Sequence, residues 1–266
     1  MKVAFVEWPE ALLPDTPAWT VIARQVAASG AELLVTNELP FGPWIAAGAT
    51  FDKTMARRSV ESHEAGIAAL AKLNLPAVLS SRPIWFEEHL LNEAFILSDG
   101  QVRPVHQKNY FPEEEGWWEA SWFHTVQHGF RAAEVQGLCL GVMLCTDAMF
   151  NEHARHYGRQ GTSLIAIPRA AGMATENWLT AGKMAAIVSG SYIVSSNRVG
   201  TSDQGTIFGG AGFAFGPDGS LLATTDAQRP LLVVEVDPER SRRQRLAYPC
   251  YVGQLAGGAS HLLHHS

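Results

Sequence analysis

Short apolar runs alternate with segments of helical period along this chain, and three turn signals interrupt the alternation. Together they restrict the fold more than any other feature. Val3 to Val6, Glu32 to Thr36, Pro76 to Ser80, Thr162 to Ile167 and Tyr192 to Ser196 read as strands. Pro17 to Ser29, Thr54 to Lys72 and Glu176 to Ser189 read as helices. In the first helix Trp19, Ile22, Val26 and Ala27 share a face before Gly30 closes it; in the second, Val60, Ile67 and Leu70 do. Strand–helix–strand order brings parallel pairing, whereas the turns bring antiparallel pairing. Ser98-Asp99-Gly100 joins Leu90 to Leu97 with Gln101 to His106, and Gly137 joins Arg131 to Gln136 with Leu138 to Leu144. Pro217-Asp218-Gly219 joins Phe213 to Phe215 with Leu221 to Thr225, and Leu231 to Val236 adds a last strand. A chain with both kinds of connection builds mixed sheets rather than one parallel sheet, here an α/β body of two sheets with helices outside.

With 266 residues, 47% of them hydrophobic, the chain fills one sizeable core, and a single domain is expected over 1–255 with a tail at 256–266. The net charge of −6 argues against a nucleic-acid partner. The cluster Arg240, Arg242, Arg243 and Arg245 follows Pro238 and reads as a solvated helix face. The N-terminus reaches Glu7 after four apolar residues, and nowhere do 18 apolar residues run together, so no membrane partner and a cytoplasmic location are expected. Cys139, Cys145 and Cys250 are odd in number and lack CxxC spacing, which points to reduced thiols rather than disulfides or a zinc cluster. His153 and His156 lack a third ligand nearby, and the tail histidines from His261 to His265 read as a loose end, so no metal and no cofactor is expected. Gly209-Gly210-Ala211-Gly212 is not GxGxxG before a helix and reads as close packing.

Within Gly141 to Gly161 the apolar run ends abruptly at Cys145, and helical spacing begins one or two residues later, with Phe150, Ala154 and Tyr157 inward. Unpaired N–H groups at a helix start bias a thiol towards thiolate. A small buried hydrophobe at a strand end is the commoner fate of a free cysteine. Two other groups follow strands in the same way, Glu38 and Lys108. A thiolate attacking carbon needs a base for its proton, a cation for the developing anion and an acid for the leaving nitrogen, and these types supply all three. No GxSxG is present to support a serine hydrolase instead.

Asn37-Glu38-Leu39-Pro40, Gln107-Lys108-Asn109-Tyr110-Phe111-Pro112 and Leu144-Cys145-Thr146-Asp147, in this order, resemble the glutamate, lysine and cysteine segments of the carbon–nitrogen hydrolases, the nitrilase superfamily. Ile167-Pro168-Arg169-Ala170, Ser196-Asn197-Arg198-Val199-Gly200 and Phe208-Gly209-Gly210 extend the resemblance over nearly the whole chain. It implies a four-layer αββα sandwich and a thiol hydrolase that cleaves a small amide or carbamoyl compound through a thioester. Nitrile hydrolysis, or a silent binding member of the family, is the alternative. By resemblance Glu38 is base and acid, Cys145 the nucleophile, and Lys108 with the Thr146 N–H the oxyanion site. Family members often carry a second glutamate between the lysine and the cysteine. Glu119, before Trp122-Phe123, fits that pattern better than Glu115, while Glu113 and Glu114 read as solvated. Asp147 stands where the family often has glutamate or an aspartate followed by arginine, which alters a supporting hydrogen bond. Arg169 and Asn197 read as loop anchors, with a bidentate grip on a substrate carboxylate as the further role for Arg169. Trp44, Trp117, Trp118, Trp122 and Trp178 are candidate pocket walls. A small-molecule substrate and a homodimer or higher homo-oligomer are expected.

Overall fold

The computed structural model describes residues 1–253; the boundary expected at residue 255 and the histidine-rich tail lie outside the described residues. The first half runs β1 (Lys2–Pro9), α1 (Pro17–Ala28), β2 (Leu33–Val35), α2 (Lys53–Ala71), β3 (Ala77–Phe86), β4 (His89–Ser98) and β5 (Gln101–Gln107). A connecting segment then holds β6 (Glu113–Glu114), β7 (Trp117–Trp118) and α3 (Glu119–Trp122). The second half runs β8 (Ala133–Val135), β9 (Leu138–Val142), α4 (Asn151–Arg159), β10 (Leu164–Arg169), α5 (Thr175–Ser189) and β11 (Tyr192–Thr201). It closes with β12 (Ile207–Gly209), β13 (Phe213–Phe215), β14 (Leu221–Thr224), β15 (Leu231–Glu235) and α6 (Pro238–Arg245).

The strands form two mixed arrays. One is ordered β5-β4-β3-β2-β1 with β15 antiparallel on β1; the other is β8-β9-β10-β11 with β12 and β13 on β11. They join where the end of β1 pairs in parallel with β11, Glu7 opposite Asn197 and Pro9 opposite Val199. Strand alternation sorts the core into layers. Val3 and Phe5 of β1 and Leu164 and Ala166 of β10 meet in the cluster between the sheets. Ala4 and Val6 turn outward under Trp19, Ile22 and Val26 of α1 and Leu70 of α2. Ile165 and Ile167 turn outward under Tyr157 of α4 and Ala185 and Ala186 of α5. With both faces of each sheet buried, the order of layers is helix, sheet, sheet, helix, as the αββα expectation requires.

Two elements differ from the sequence reading. The third strand continues past Ser80 to Phe86 and pairs with β4 along its whole length, Pro83 opposite Asn92. The segment Lys108 to Phe123, expected as a loop without regular structure, contains the β6–β7 hairpin and the one-turn helix α3. Indole hydrogen bonds tie this local structure to the loop before α2: the N–H of Trp44, in that loop, donates to Gly116 O of the hairpin, and that of Trp122 to Gly48 O.

Candidate active site

The site gathers where both sheets end. Leu33–Val35 is followed by Glu38, Gln101–Gln107 by Lys108, and Leu138–Val142 by Cys145. Two of these ends are sharp turns in the left-handed region, with φ +44° at Leu39 and +47° at Cys145. Such a conformation costs a side-chain-bearing residue about 1–3 kcal/mol and persists only where its surroundings hold it. Around Leu39 they do: its N–H donates to Ser81 Oγ at 2.8 Å, and its carbonyl accepts from Arg198 Nη2. Arg198 is itself paired with Glu10, whose other oxygen accepts the Trp44 N–H.

Lys108, Glu38 and Glu119 are fully buried and in contact. Lys108 Nζ donates to Glu38 Oε1 at 2.8 Å and to Glu119 Oε2 at 2.5 Å. Asn92, a polar interruption in the apolar run of β4, donates Nδ2 to the same Glu38 Oε1 at 2.8 Å, and its carbonyl accepts the Lys108 N–H. Glu38 Oε2 and Glu119 Oε1 are buried without a protein partner. Burial would push Lys108 down, but Glu119, Glu38 and Cys145 more than reverse this and hold it well above the usual ammonium range. Burial first, against the pull of Lys108 and with the push of Glu38, holds Glu119 up at about 8. The other carboxylates of the segment sort away: Glu113 accepts from Ser121 N and Oγ, and Glu114 and Glu115 are exposed.

Cys145 is 3% exposed and opens a 3₁₀ turn, Cys145–Met149, rather than an α-helix. The bias towards thiolate expected from a helix start is overturned. Burial and the Glu38 carboxylate push the thiol well above its usual range; Lys108 and the N–H of Ala170 pull the other way and are outweighed. The thiol rests protonated and needs a base. Thr146, half-buried, occupies the next position of the turn, where N–H groups lack intrahelical acceptors.

The shorter Asp147 uses both oxygens. Oδ1 accepts from the N–H groups of Asn109 and Tyr110 at 3.1 Å each, and Oδ2 accepts from Leu144 N at 3.1 Å and His106 Nε2 at 2.8 Å. Arg169 does not present a free fork to a substrate carboxylate. Its Nε donates to Ser195 Oγ at 2.7 Å and Nη2 to Ala211 O at 2.9 Å, with its face over Trp178 and Phe213. The pull of neighbouring elements on its donors makes it an anchor, and its carbonyl accepts the Glu38 N–H at 3.1 Å. Asn197 also anchors, gripping Ala171 through both N–H and C=O and reaching Gly210 O. Trp44, Trp122 and Trp178 are core; Trp117 and Trp118 are half-buried, and the Trp117 indole donates to Ala170 O at 2.8 Å beside the thiol.

Sequence reasoning missed Asn92 and His106. The signal for Asn92 was a polar pair, Asn92-Glu93, in an otherwise apolar strand. His106 carried none, because only the fold brings it to Asp147.

The carbon-nitrogen hydrolase family model matches residues 8–246. N-carbamoylputrescine amidase of Arabidopsis thaliana is 25% identical over 245 residues, 84% of this chain and 82% of that protein. Citrullinase of Francisella tularensis is 24% identical over 218 residues, 76% of each chain. Among solved structures, a carbon-nitrogen hydrolase from Helicobacter pylori G27 superposes with a TM-score of 0.82 at 21% identity over 94% of both chains. A variant of the amidase from Nesterenkonia sp. AN1, showing covalent addition of the acetamide moiety of fluoroacetamide at the active site cysteine, superposes with a TM-score of 0.75 at 20% identity. That match covers 91% of this chain and 92% of the amidase.

Proposed function

The chain belongs to the carbon–nitrogen hydrolase family, and from that premise we propose that it hydrolyses a primary amide or carbamoyl group through a Cys145 thioester. Glu38 takes the thiol proton as Sγ attacks the carbonyl carbon, and Lys108 Nζ with the Thr146 N–H holds the oxyanion. Collapse breaks the C–N bond, and Glu38 returns its proton to the departing nitrogen, which leaves as ammonia or amine. Water then attacks the thioester with Glu38 again as base, releasing the acid and the thiol. Glu119, held up at about 8 chiefly by burial, is neutral near pH 7, so it takes a different role from Glu38, the base.

The observation that carries this reading is the buried chain Glu38–Lys108–Glu119 beside Cys145, with one oxygen of each carboxylate unpartnered. A primary amide brings two N–H donors and a carbonyl to such a site, whereas a nitrile brings no donor. That difference favours amides over nitriles. A carbamoyl group has the same –CO–NH₂ end, and the relatives named for carbamoylputrescine and citrulline fit it. The three cysteines are free, in keeping with a reducing cytoplasmic setting, and a homodimer completes the proposal. Among the described residues no helix is long and apolar enough to cross a membrane.

The test is ammonia or amine release across amides, carbamoyl amines, carbamoyl amino acids and nitriles, with Cys145→Ala as blank. Turnover of an amide or carbamoyl compound, absent in the blank, is the expected result. Exclusive turnover of nitriles, or equal release by the blank, overturns it.

A further inference from the structure

Behind the reacting groups lies a second buried pair that the proposed mechanism does not use. His106 and Asp147, with side chains 1% and 0% exposed, meet at 2.8 Å between His106 Nε2 and Asp147 Oδ2. The same carboxylate oxygen accepts the Leu144 N–H, so it is an acceptor and the imidazole Nε2 is the donor. Its other oxygen accepts the N–H groups of Asn109 and Tyr110. One carboxylate therefore holds the residue before Cys145 and the two residues after Lys108. His106 sits at the end of β5, two residues before the lysine, and Phe130 covers its ring at 4.9 Å between centroids. Four hydrogen bonds converge on Asp147, and three of their donors are main-chain N–H groups that the fold fixes. His106 is the side chain that completes the set and fills the gap between β5 and the turn.

We propose that His106 is a positioning residue for the hydrolysis: through Asp147 it holds Lys108 in register with Cys145. This rests on the roles of Lys108 and Cys145 proposed above. The two groups come from different sheets, and the ladder that joins those sheets, Glu7–Pro9 with Asn197–Val199, does not include the strands that carry them. A misplacement near 1 Å at such a site costs roughly a hundredfold in rate.

His106→Leu removes the donor and keeps an apolar filler; His106→Gln keeps a donor near the Nε2 position. Two readouts apply to purified, folded protein. The first needs no substrate: the rate of Cys145 alkylation by iodoacetamide against pH, followed by intact mass. Lys108 favours the thiolate, whereas Glu38 and Glu119 oppose it. Loss of register changes the distance of all three from the thiol, so the H106L profile departs from that of wild type, by about tenfold in rate at a fixed pH for one pKa unit. The second is kcat for ammonia release, normalised to alkylatable Cys145. It falls about 10- to 100-fold in H106L, while H106Q stays within about threefold of wild type. If H106L does not fold, Asp147→Asn, which turns one acceptor oxygen into a donor against N–H groups, is expected to show the same shift. An H106L profile and kcat equal to wild type, or H106Q as impaired as H106L, overturns the proposal. If wild type turns over no amide or carbamoyl compound yet the H106L profile shifts, the functional reading falls and the positioning role stands. Turnover by wild type with an unchanged H106L separates the two the other way.

Discussion

Lys108→Met places the electrostatic reading under the heaviest load. Methionine keeps the length and the apolar stem and removes the ammonium. In the native protein that ammonium lies 2.8 Å from Glu38 Oε1 and 2.5 Å from Glu119 Oε2, with all three side chains fully buried. Glu119, held up at about 8 chiefly by burial, is largely neutral at pH 7, so the charge left without a partner is that of Glu38. Removing one partner of a buried pair costs about 3–5 kcal/mol. With a urea m-value of about 3 kcal/mol/M, the unfolding midpoint drops by roughly 1–2 M. In K108M the Glu38 carboxylate keeps the cost of its burial and loses the cation that offsets it.

Urea unfolding of wild type, K108M and K108M/E38Q at pH 7 reads this directly. The double variant, with no charge stranded, regains most of the lost stability. Neither variant regains turnover, since removing an oxyanion donor costs about 10²–10³ in kcat. A K108M midpoint matching wild type at pH 7, or a double variant no more stable than K108M, refutes the buried-pair reasoning.

Cys145→Ala abolishes hydrolysis and leaves the thermal midpoint within a few degrees, because only one sulfur atom leaves the buried cluster; retained turnover would sink the assignment. Glu119→Gln lowers kcat/KM by about tenfold or more while the exposed Glu115→Gln stays within about twofold, as parallel initial-rate measurements decide. In wild type the neutral Glu119 is lost above about pH 8, so kcat/KM falls through that pH; the limb is missing in E119Q, whose side chain stays neutral. Gly66→Ala puts a Cβ 2.1 Å from Phe41 Cδ2, inside the packing under the Glu38 turn. Calorimetry should show a loss of about 1–3 kcal/mol, or roughly 3–10 °C.

Much of this architecture is legible in the sequence because burial on both faces leaves a simple trace. The runs at Val3, Leu33, Leu164 and Tyr192 are apolar without alternation, and each is a strand between two layers. Asp99-Gly100 and Gly137 mark their hairpins because both tight turns demand positive φ, as does Gly219. The order glutamate, lysine, cysteine is legible for a similar reason: each stands just past a strand, and strand ends are where side chains converge. The conformation of Lys108 to Phe123 is not legible, since its hairpin and one-turn helix are fixed by distant acceptors such as Gly48 O and Ala170 O. Nor is the state of Cys145. Its place in the chain argued for thiolate, but burial beside Glu38 reverses that, and burial is a property of the whole fold.

The division of labour between the sheets explains why the site needs so many supporting hydrogen bonds. Glu38, Asn92 and Lys108 extend from the sheet centred on β2 and β4; Cys145 and Ala170 extend from the sheet centred on β9 and β10. Within a sheet, ladder hydrogen bonds fix register to one residue. Between sheets the inner cluster is apolar, and apolar packing is non-directional, so it sets spacing without setting register. Among the described residues the ladder joins the two arrays only over Glu7–Pro9 and Asn197–Val199. Directional bonds across the seam supply what packing does not: Glu38 N to Arg169 O joins the Glu38 loop to β10, and Asp147 to Asn109 and Tyr110 joins the Cys145 turn to the segment after Lys108. Arg198 adds the third tie, from β11 to the carbonyls of Leu39 and Gly42. Variants that weaken these ties are therefore expected to lose turnover before they lose the fold, because the apolar layers remain intact while Lys108 and Cys145 drift apart.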